Sequence, residues 1–130
     1  MQVEIFCLCH QARVGARNLI SIIDVFDMLK GTAEGGIVQP FVVVSVIRVY
    51  RKDRGKHTIT IHCKDKDGMP LLTPIPDTYD LIEFPNESTL WCYTGNMGRA
   101  GLKIGTYHFS IVVDGKPLAH TPLYVVQEKT

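Results

Sequence analysis

The sequence predicts an all-β protein, an antiparallel β-sandwich of about eight strands with an immunoglobulin-like or Greek-key arrangement. Short segments rich in β-branched and aromatic residues alternate between apolar and polar positions. Turn residues separate these segments at intervals of roughly ten residues, and no segment argues convincingly for a helix. The chain has 130 residues. We therefore predict one domain, residues 1–130, because a chain of this size buries enough surface for a single core.

A hairpin at the C-terminal end is the clearest predicted element. Its first strand places an apolar residue at every second position, which puts these side chains on one face of a sheet. They are Tyr107, Phe109, Ile111 and Val113. Asp114-Gly115 then reverses the chain, because glycine adopts positive φ without a clash and aspartate tolerates it nearly as well. Residues 118–126 return beside the first strand.

The second strand of this hairpin is predicted to contain an irregularity. A two-residue turn places Leu118 opposite Ile111, so Leu123 faces away from the core. A β-bulge corrects this, because one extra residue changes the face of every side chain that follows it. We expect the bulge near Thr121-Pro122, since proline has no N–H to contribute to the ladder.

The strands before the hairpin are predicted from the same alternation. They are residues 3–10, 19–28, 41–51, 57–64, 69–73, 79–84 and 88–94. A helix competes with the second of these strands, and a helical turn is the alternative for residues 24–31, but β-branched residues favour a strand. The third is apolar on both faces in its first half, which predicts a central strand covered on both sides.

The charge balance and the apolar segments limit the classes of partner. Fourteen Lys and Arg face thirteen Asp and Glu, for a net charge of +1, which argues against a dedicated nucleic-acid or membrane-surface protein. No segment reaches the roughly 18 apolar residues of a membrane helix, and no signal peptide is visible. The prediction is a cytoplasmic protein without a membrane span.

The cysteine pattern predicts reduced thiols in the core. The four cysteines are Cys7, Cys9, Cys63 and Cys92. Cys7 and Cys9 lie on the same side of one strand, where ordinary strand geometry does not favour a disulfide. A metal site at this pair would need further ligands, for which His10, His57, His62 and Cys63 are the candidates, and no second cysteine pair has zinc-site spacing. We expect no metal and no other cofactor.

Two groups of residues are candidates for ligand binding. The first is a basic hairpin around residues 48–56, in which Arg51, Arg54 and Lys56 would contact an anion such as a phosphate; the alternative is a solvated turn. The second is the glycine-rich segment 95–101 with the strand that leads into it, and a crossover loop is its alternative. The candidates in this second group are Trp91, Asn96 and Arg99.

Two resemblances accompany these patterns. The segment Leu102-Lys-Ile-Gly105-Thr-Tyr107 resembles the tyrosine corner of immunoglobulin-like sandwiches, in which a tyrosine at the start of a strand bonds back to the preceding corner. Nearly the whole chain is similar to a family of small bacterial β-sandwich proteins of uncharacterised function. The similarity rests on Val3-Glu4-Ile5-Phe6-Cys7-Leu8 and on residues 19–27, 55–57 and 105–125. It implies a cytoplasmic bacterial sandwich and assigns no catalytic residue.

The functional prediction is a non-enzymatic binding or assembly module. No serine or cysteine lies in a recognisable nucleophile motif, so a hydrolase with a dispersed site is a remote alternative. Segments 3–10 and 73–85 are the predicted sheet edges, where β-augmentation would recruit a protein partner or form a homodimer. The other alternative is binding of an anion, a carbohydrate or a nucleic acid through the end loops.

Overall fold

The computed structural model describes residues 1–16, 19–31, 40–97 and 102–127. In this part of the chain, nine strands form two sheets around a shared core, and there is no α-helix. The predicted all-β sandwich is confirmed. The strands are β1 (Gln2–Val14), β2 (Ile20–Phe26), β3 (Met28–Gly31), β4 (Phe41–Tyr50), β5 (Gly55–Asp65), β6 (Asp77–Leu81), β7 (Ser88–Met97), β8 (Gly105–Val113) and β9 (Lys116–Gln127).

The two sheets have the strand orders β2-β1-β4-β7 and β3-β9-β8-β5-β6. Neighbouring strands are antiparallel except for β3 and β9, which are parallel. The segment predicted as one strand over residues 19–28 is in fact two, because the chain changes sheet at Asp27, whose carbonyl accepts a hydrogen bond from the Tyr124 N–H of β9. The helix considered for residues 24–31 is absent from this described segment.

One of the two predicted sheet edges is confirmed, and the other is wrong. β6 is an edge strand, as expected for segment 73–85. The prediction for residues 3–10 is wrong, because β1 lies between β2 and β4 and pairs with both. Residues 11–14, which follow the predicted strand, extend β1 beside β2. The strand predicted over residues 69–73 is also wrong and amounts to one bridge between Pro70 and Lys64, since proline lacks the N–H to continue a ladder.

The core lies between the two sheets and contains a row of phenylalanines. Phe109 of β8 is fully buried, and its ring meets Phe41 of β4 edge to face, with the ring centroids 6.0 Å apart. Phe41 in turn meets Phe26 of β2 at 5.7 Å. On the other face of β4, Val44 and Val46 are also buried, which confirms that this strand is central and apolar on both sides.

The C-terminal hairpin turns at Asp114 and Gly115, both with positive φ, as predicted. The bulge is also present, but the predicted position near Thr121-Pro122 is wrong. Val112 pairs with Pro117 and Ile111 pairs with Ala119, so Leu118 is the extra residue. A bulge beside the turn brings the rest of β9 into register at once, and Leu123 therefore faces the core and is fully buried.

The bond of the tyrosine corner is present in the structure. The Tyr107 hydroxyl donates a hydrogen bond to the Lys103 carbonyl at 2.6 Å, while the ring is buried. We expect Tyr107→Phe to lower the free energy of unfolding by about 1 kcal/mol, the usual net value of one hydrogen bond. Urea denaturation measures the change, and Tyr124→Phe on the exposed surface of β9 is the control. Equal losses in the two variants would contradict a role for this bond.

Candidate functional site

The two sheets separate along one side of the sandwich, between the edge strands β6 and β7. A cleft of about 880 Å³ lies there, lined by residues 79–86 and by residues 89–92 of β7. A second cleft of about 420 Å³ continues along β7 and is lined by residues 93–97. The opening arises because β6 is short and pairs only with the first half of β5, residues 55–59. The two clefts together follow β7 over most of its length.

Aromatic side chains form the inner wall of the larger cleft. Trp91 of β7 meets Tyr79 of β6 with the ring centroids 5.5 Å apart, and Tyr79 meets Tyr93 at 5.9 Å. Trp91 is only 6% exposed, whereas Tyr79 is 41% exposed. Phe84 is buried at the end of the same cleft. The wall therefore offers apolar surface that a ligand reaches mainly through Tyr79.

The indole nitrogen of Trp91 has no hydrogen-bond partner among the described residues, although it is buried. A buried N–H without a partner costs about 1–3 kcal/mol relative to one that is bonded. Such groups are rare in folded proteins, and each calls for a physical explanation. Here the unpaired donor belongs to a residue that lines the cleft.

A tyrosine–aspartate hydrogen bond joins β7 to β6 across the opening. The Tyr93 hydroxyl donates to the Asp77 carboxylate. Burial, together with the bond and the negative charge of Asp77, raises the pKa of Tyr93, so the hydroxyl remains a donor. The bond fixes the distance between the two edge strands where the larger and the smaller cleft meet.

His57 supports the aromatic wall from behind. Its Nδ1 lies 2.6 Å from the Asp114 carboxylate, and its Nε2 lies 2.5 Å from the Asp53 carbonyl oxygen. Both partners only accept hydrogen bonds, so the geometry requires the doubly protonated imidazolium. Burial alone would lower the pKa of His57, but these hydrogen bonds and the nearby carboxylates raise it overall. The centroid of its ring lies 6.4 Å from that of Trp91, and His57 stands opposite Tyr79 in the pairing of β5 with β6.

The predicted basic residues lie around one end of the larger cleft. The Arg54 guanidinium lies over the ring of Phe84, 5.8 Å from its centroid. Arg51 donates to the carbonyl of Asn86 and forms an exposed ion pair with Glu87 at 3.7 Å. Such a pair contributes little in water. These arginines contact the rim of the cleft, and each of them already has a partner within the protein.

The other predicted site residues are more widely spaced. Lys56 is exposed and stands opposite Asp80 across β5 and β6. Trp91 belongs to the wall described above. Asn96 is exposed at the far end of β7, where it lines the smaller cleft. Arg99 lies outside the described residues. The structure thus places Arg51 and Arg54 against residues that line the larger cleft and Trp91 in its wall, and it leaves Asn96 at the other end of β7.

Sequence reasoning missed Tyr79 and Phe84 as site residues. Both belong to segment 73–85, which its prolines marked only as an edge or a loop. One feature of the sequence could have identified them. Two aromatic side chains on a predicted edge strand must be covered either by the core or by a ligand. What the pattern did not show is that this edge faces β7, which is a matter of sheet order.

The thiols and the acidic residues show no arrangement of a reactive centre in the described ranges. Burial raises the pKa of Cys63 to about 12, and burial also raises the pKa of Cys7, Cys9 and Cys92. These thiols are therefore protonated and poorly nucleophilic near neutral pH. No group of three or more His, Cys, Asp or Glu residues in those ranges is placed to hold a metal ion.

A protein-family profile for a family of unknown function, DUF6941, matches residues 4–126 of the chain. The chain belongs to DUF6941. This confirms the predicted resemblance to a small family without an assigned function. The match spans both edge strands, so the cleft lies within the DUF6941 domain. No curated protein matches the chain. In the ranges that the structure describes, no helix has the length and hydropathy that crossing a membrane requires.

Proposed function

We propose that this DUF6941 protein is a non-enzymatic binding module whose ligand occupies the cleft between β6 and β7. The observation that carries the proposal is the buried, unpartnered Nε1–H of Trp91 in the wall of that cleft. The larger cleft, at about 880 Å³, falls within the size range of ligand sites. A ligand that carries a hydrogen-bond acceptor would bond to this N–H, once a small shift of the wall exposes the N–H. The bond would remove the free-energy cost of leaving the donor unpaired.

The chemistry of the wall favours a partly apolar ligand. Trp91 is too deeply buried to serve as a stacking platform for a base or a sugar ring. Arg51 and Arg54 already contact groups of the protein, which weakens the alternative of an anion held by the basic hairpin. The exposed ring of Tyr79 and the neutral surface of β7 remain as the contact area.

Several other conclusions from the sequence remain predictions. They are the absence of enzymatic activity, the bacterial and cytoplasmic setting, the immunoglobulin-like arrangement and the homodimer. The anion alternative makes a separate expectation. If it holds, replacing Arg51, Arg54 and Lys56 with alanine abolishes a salt-sensitive binding, whereas a ligand of the aromatic wall keeps its affinity in that variant.

The test uses the single tryptophan of the chain as the reporter. We expect members of a small-molecule fragment library or of a peptide library to shift the one indole N–H signal in nitrogen-15 NMR spectra. Tyr79→Ala should weaken the binding of such a probe about tenfold, since it removes most of the accessible aromatic surface. Tyr124→Ala is the matched control, because the two tyrosines are 41% and 42% exposed.

Two results would count against the cleft as a binding site. One is that no probe of either library moves the indole signal. The other is that Tyr79→Ala and Tyr124→Ala reduce binding equally, which would place the contact elsewhere on the surface.

A further inference from the structure

We infer that the ligand is an extended peptide of another protein, which adds to the open edge of β7 as a further strand. The inference rests on the proposed function and names its partner class. The two sheets end at four edge strands, β2 and β7 in one sheet and β3 and β6 in the other. These edges differ in how well they are protected against pairing with another chain.

Three of the four edges carry features that discourage pairing with another chain. β2 is interrupted by Asp24, a charged residue with a positive φ of 59° in the middle of the strand. β3 has only four residues, one of them Lys30. β6 has five residues, two of them aspartates, and prolines flank it on both sides. Short length, charge, proline and local distortion are the usual means by which proteins protect an edge.

β7 lacks all of these features. It has ten residues, with the sequence STLWCYTGNM, and contains no charged residue and no proline. Its pairing with β4 runs through ten consecutive residue pairs without a register shift, so the strand contains no bulge. In the described part of the chain, no strand pairs with its other side. A long, regular, uncharged edge of this kind is a template for an added strand.

The clefts lie where an added strand would run. Successive side chains of such a strand point to opposite faces. One set would enter the clefts against Trp91 and Tyr79, and the other would lie beside Leu90 and Thr94 on the outer face of the sheet. The matching peptide therefore has apolar side chains at every second position.

A peptide fits this edge better than a second copy of the protein does. Both clefts have walls on two sides, with β7 on one of them. The opposite wall is β6 with the residues that follow it in the larger cleft, and mainly the segment from Leu72 to Asp77 in the smaller one. A single extended chain can lie between these walls. A second copy paired through β7 would bring its own β6 toward this one, and each β6 carries two aspartates, Asp77 and Asp80, whose like charges oppose that approach.

The experiment selects linear peptides on the 130-residue chain from a random display library. The best peptide is then made in two forms, each N-methylated at alternate residues of opposite parity. N-methylation removes backbone donors and keeps the side chains. We expect one form to lose at least about tenfold in affinity and the other to bind nearly as well as the parent, because only alternate N–H groups of a strand face its neighbour.

Protein variants and hydrogen exchange complete the test. Thr94→Lys places a charge on the β7 edge and should abolish binding, whereas Ser21→Lys on the β2 edge should not. The bound peptide should slow amide exchange in residues 88–97. The inference fails if both methylated forms bind equally, if β7 gains no protection, or if light scattering shows a dimer that Thr94→Lys dissociates. If fragments shift the Trp91 indole signal and no peptide is selected, the inference fails and the proposed function stands.

Discussion

Replacing Phe109 with alanine should lower the free energy of unfolding by about 3–5 kcal/mol, the range for removing a buried aromatic ring. Phe109 is fully buried and packs edge to face against Phe41 of the opposite sheet. Its loss leaves a cavity at the contact between the two sheets, where neighbouring side chains have little freedom to fill it. Guanidinium or urea denaturation followed by circular dichroism measures the change.

The neighbouring residue is the control for this substitution. His108 is exposed on the outer face of the same strand, so His108→Ala should change stability by no more than about 0.5 kcal/mol. A loss below about 1 kcal/mol for Phe109→Ala would show that the sheets do not depend on this contact.

Replacing His57 with alanine should lower the free energy of unfolding by about 1–2 kcal/mol at mildly acidic pH, and by less at alkaline pH. The substitution removes the hydrogen bonds to Asp114 and to the Asp53 carbonyl. Asp114 is half exposed, so solvent screening keeps the effect in the lower part of the usual range for charged hydrogen bonds.

The sign of the pH dependence follows from the direction of each shift. The folded-state pKa of His57 lies above its ordinary value of 6.5, so the stabilisation is complete below that value and is lost as pH rises through the folded pKa. The hydrogen bonds from His57 and from the Thr58 N–H lower the pKa of Asp114 from 3.8. Its contribution is complete above 3.8 and is lost as pH falls through the folded pKa. The contact between His57 and Asp114 therefore contributes most to stability between pH 3.8 and pH 6.5.

Two measurements check this prediction. Denaturation midpoints of the wild type and His57→Ala should converge as pH rises, and His120→Ala, an exposed histidine of β9, should follow the wild type. The fluorescence of Trp91, 6.4 Å from the His57 ring, should titrate with the same midpoint in the wild type only. A difference between wild type and His57→Ala that stays constant with pH would contradict the requirement for an imidazolium.

The strands were predictable because their signal is local. The alternation of Tyr107, Phe109, Ile111 and Val113 depends only on the period of a β-strand, and the observed strand β8 contains all four. Asp114-Gly115 specified the turn for the same reason, since positive φ at these residues is a property of the residue types. The need for a bulge in β9 also followed from counting residues.

The position of the bulge and the place of β1 were not predictable from local patterns. An extra residue at Leu118 and one near Thr121-Pro122 both restore the burial of Leu123, and only the observed pairing of β9 with β8 distinguishes the two positions. The apolar alternation of residues 3–10 fits an edge strand as well as a central one. Only the partners β2 and β4 distinguish the two.

The same distinction applies to the candidate site. Local patterns predicted the all-β class, most of the strands and the basic turn, because side-chain period and turn preferences act over a few residues. Packing of the two sheets placed β6 opposite β7, brought Tyr79 and Phe84 together with Trp91 in one cleft, and left β7 without a strand on its other side among the described residues. These are pairings between segments distant in sequence, and they result from packing two sheets so that both bury their apolar faces.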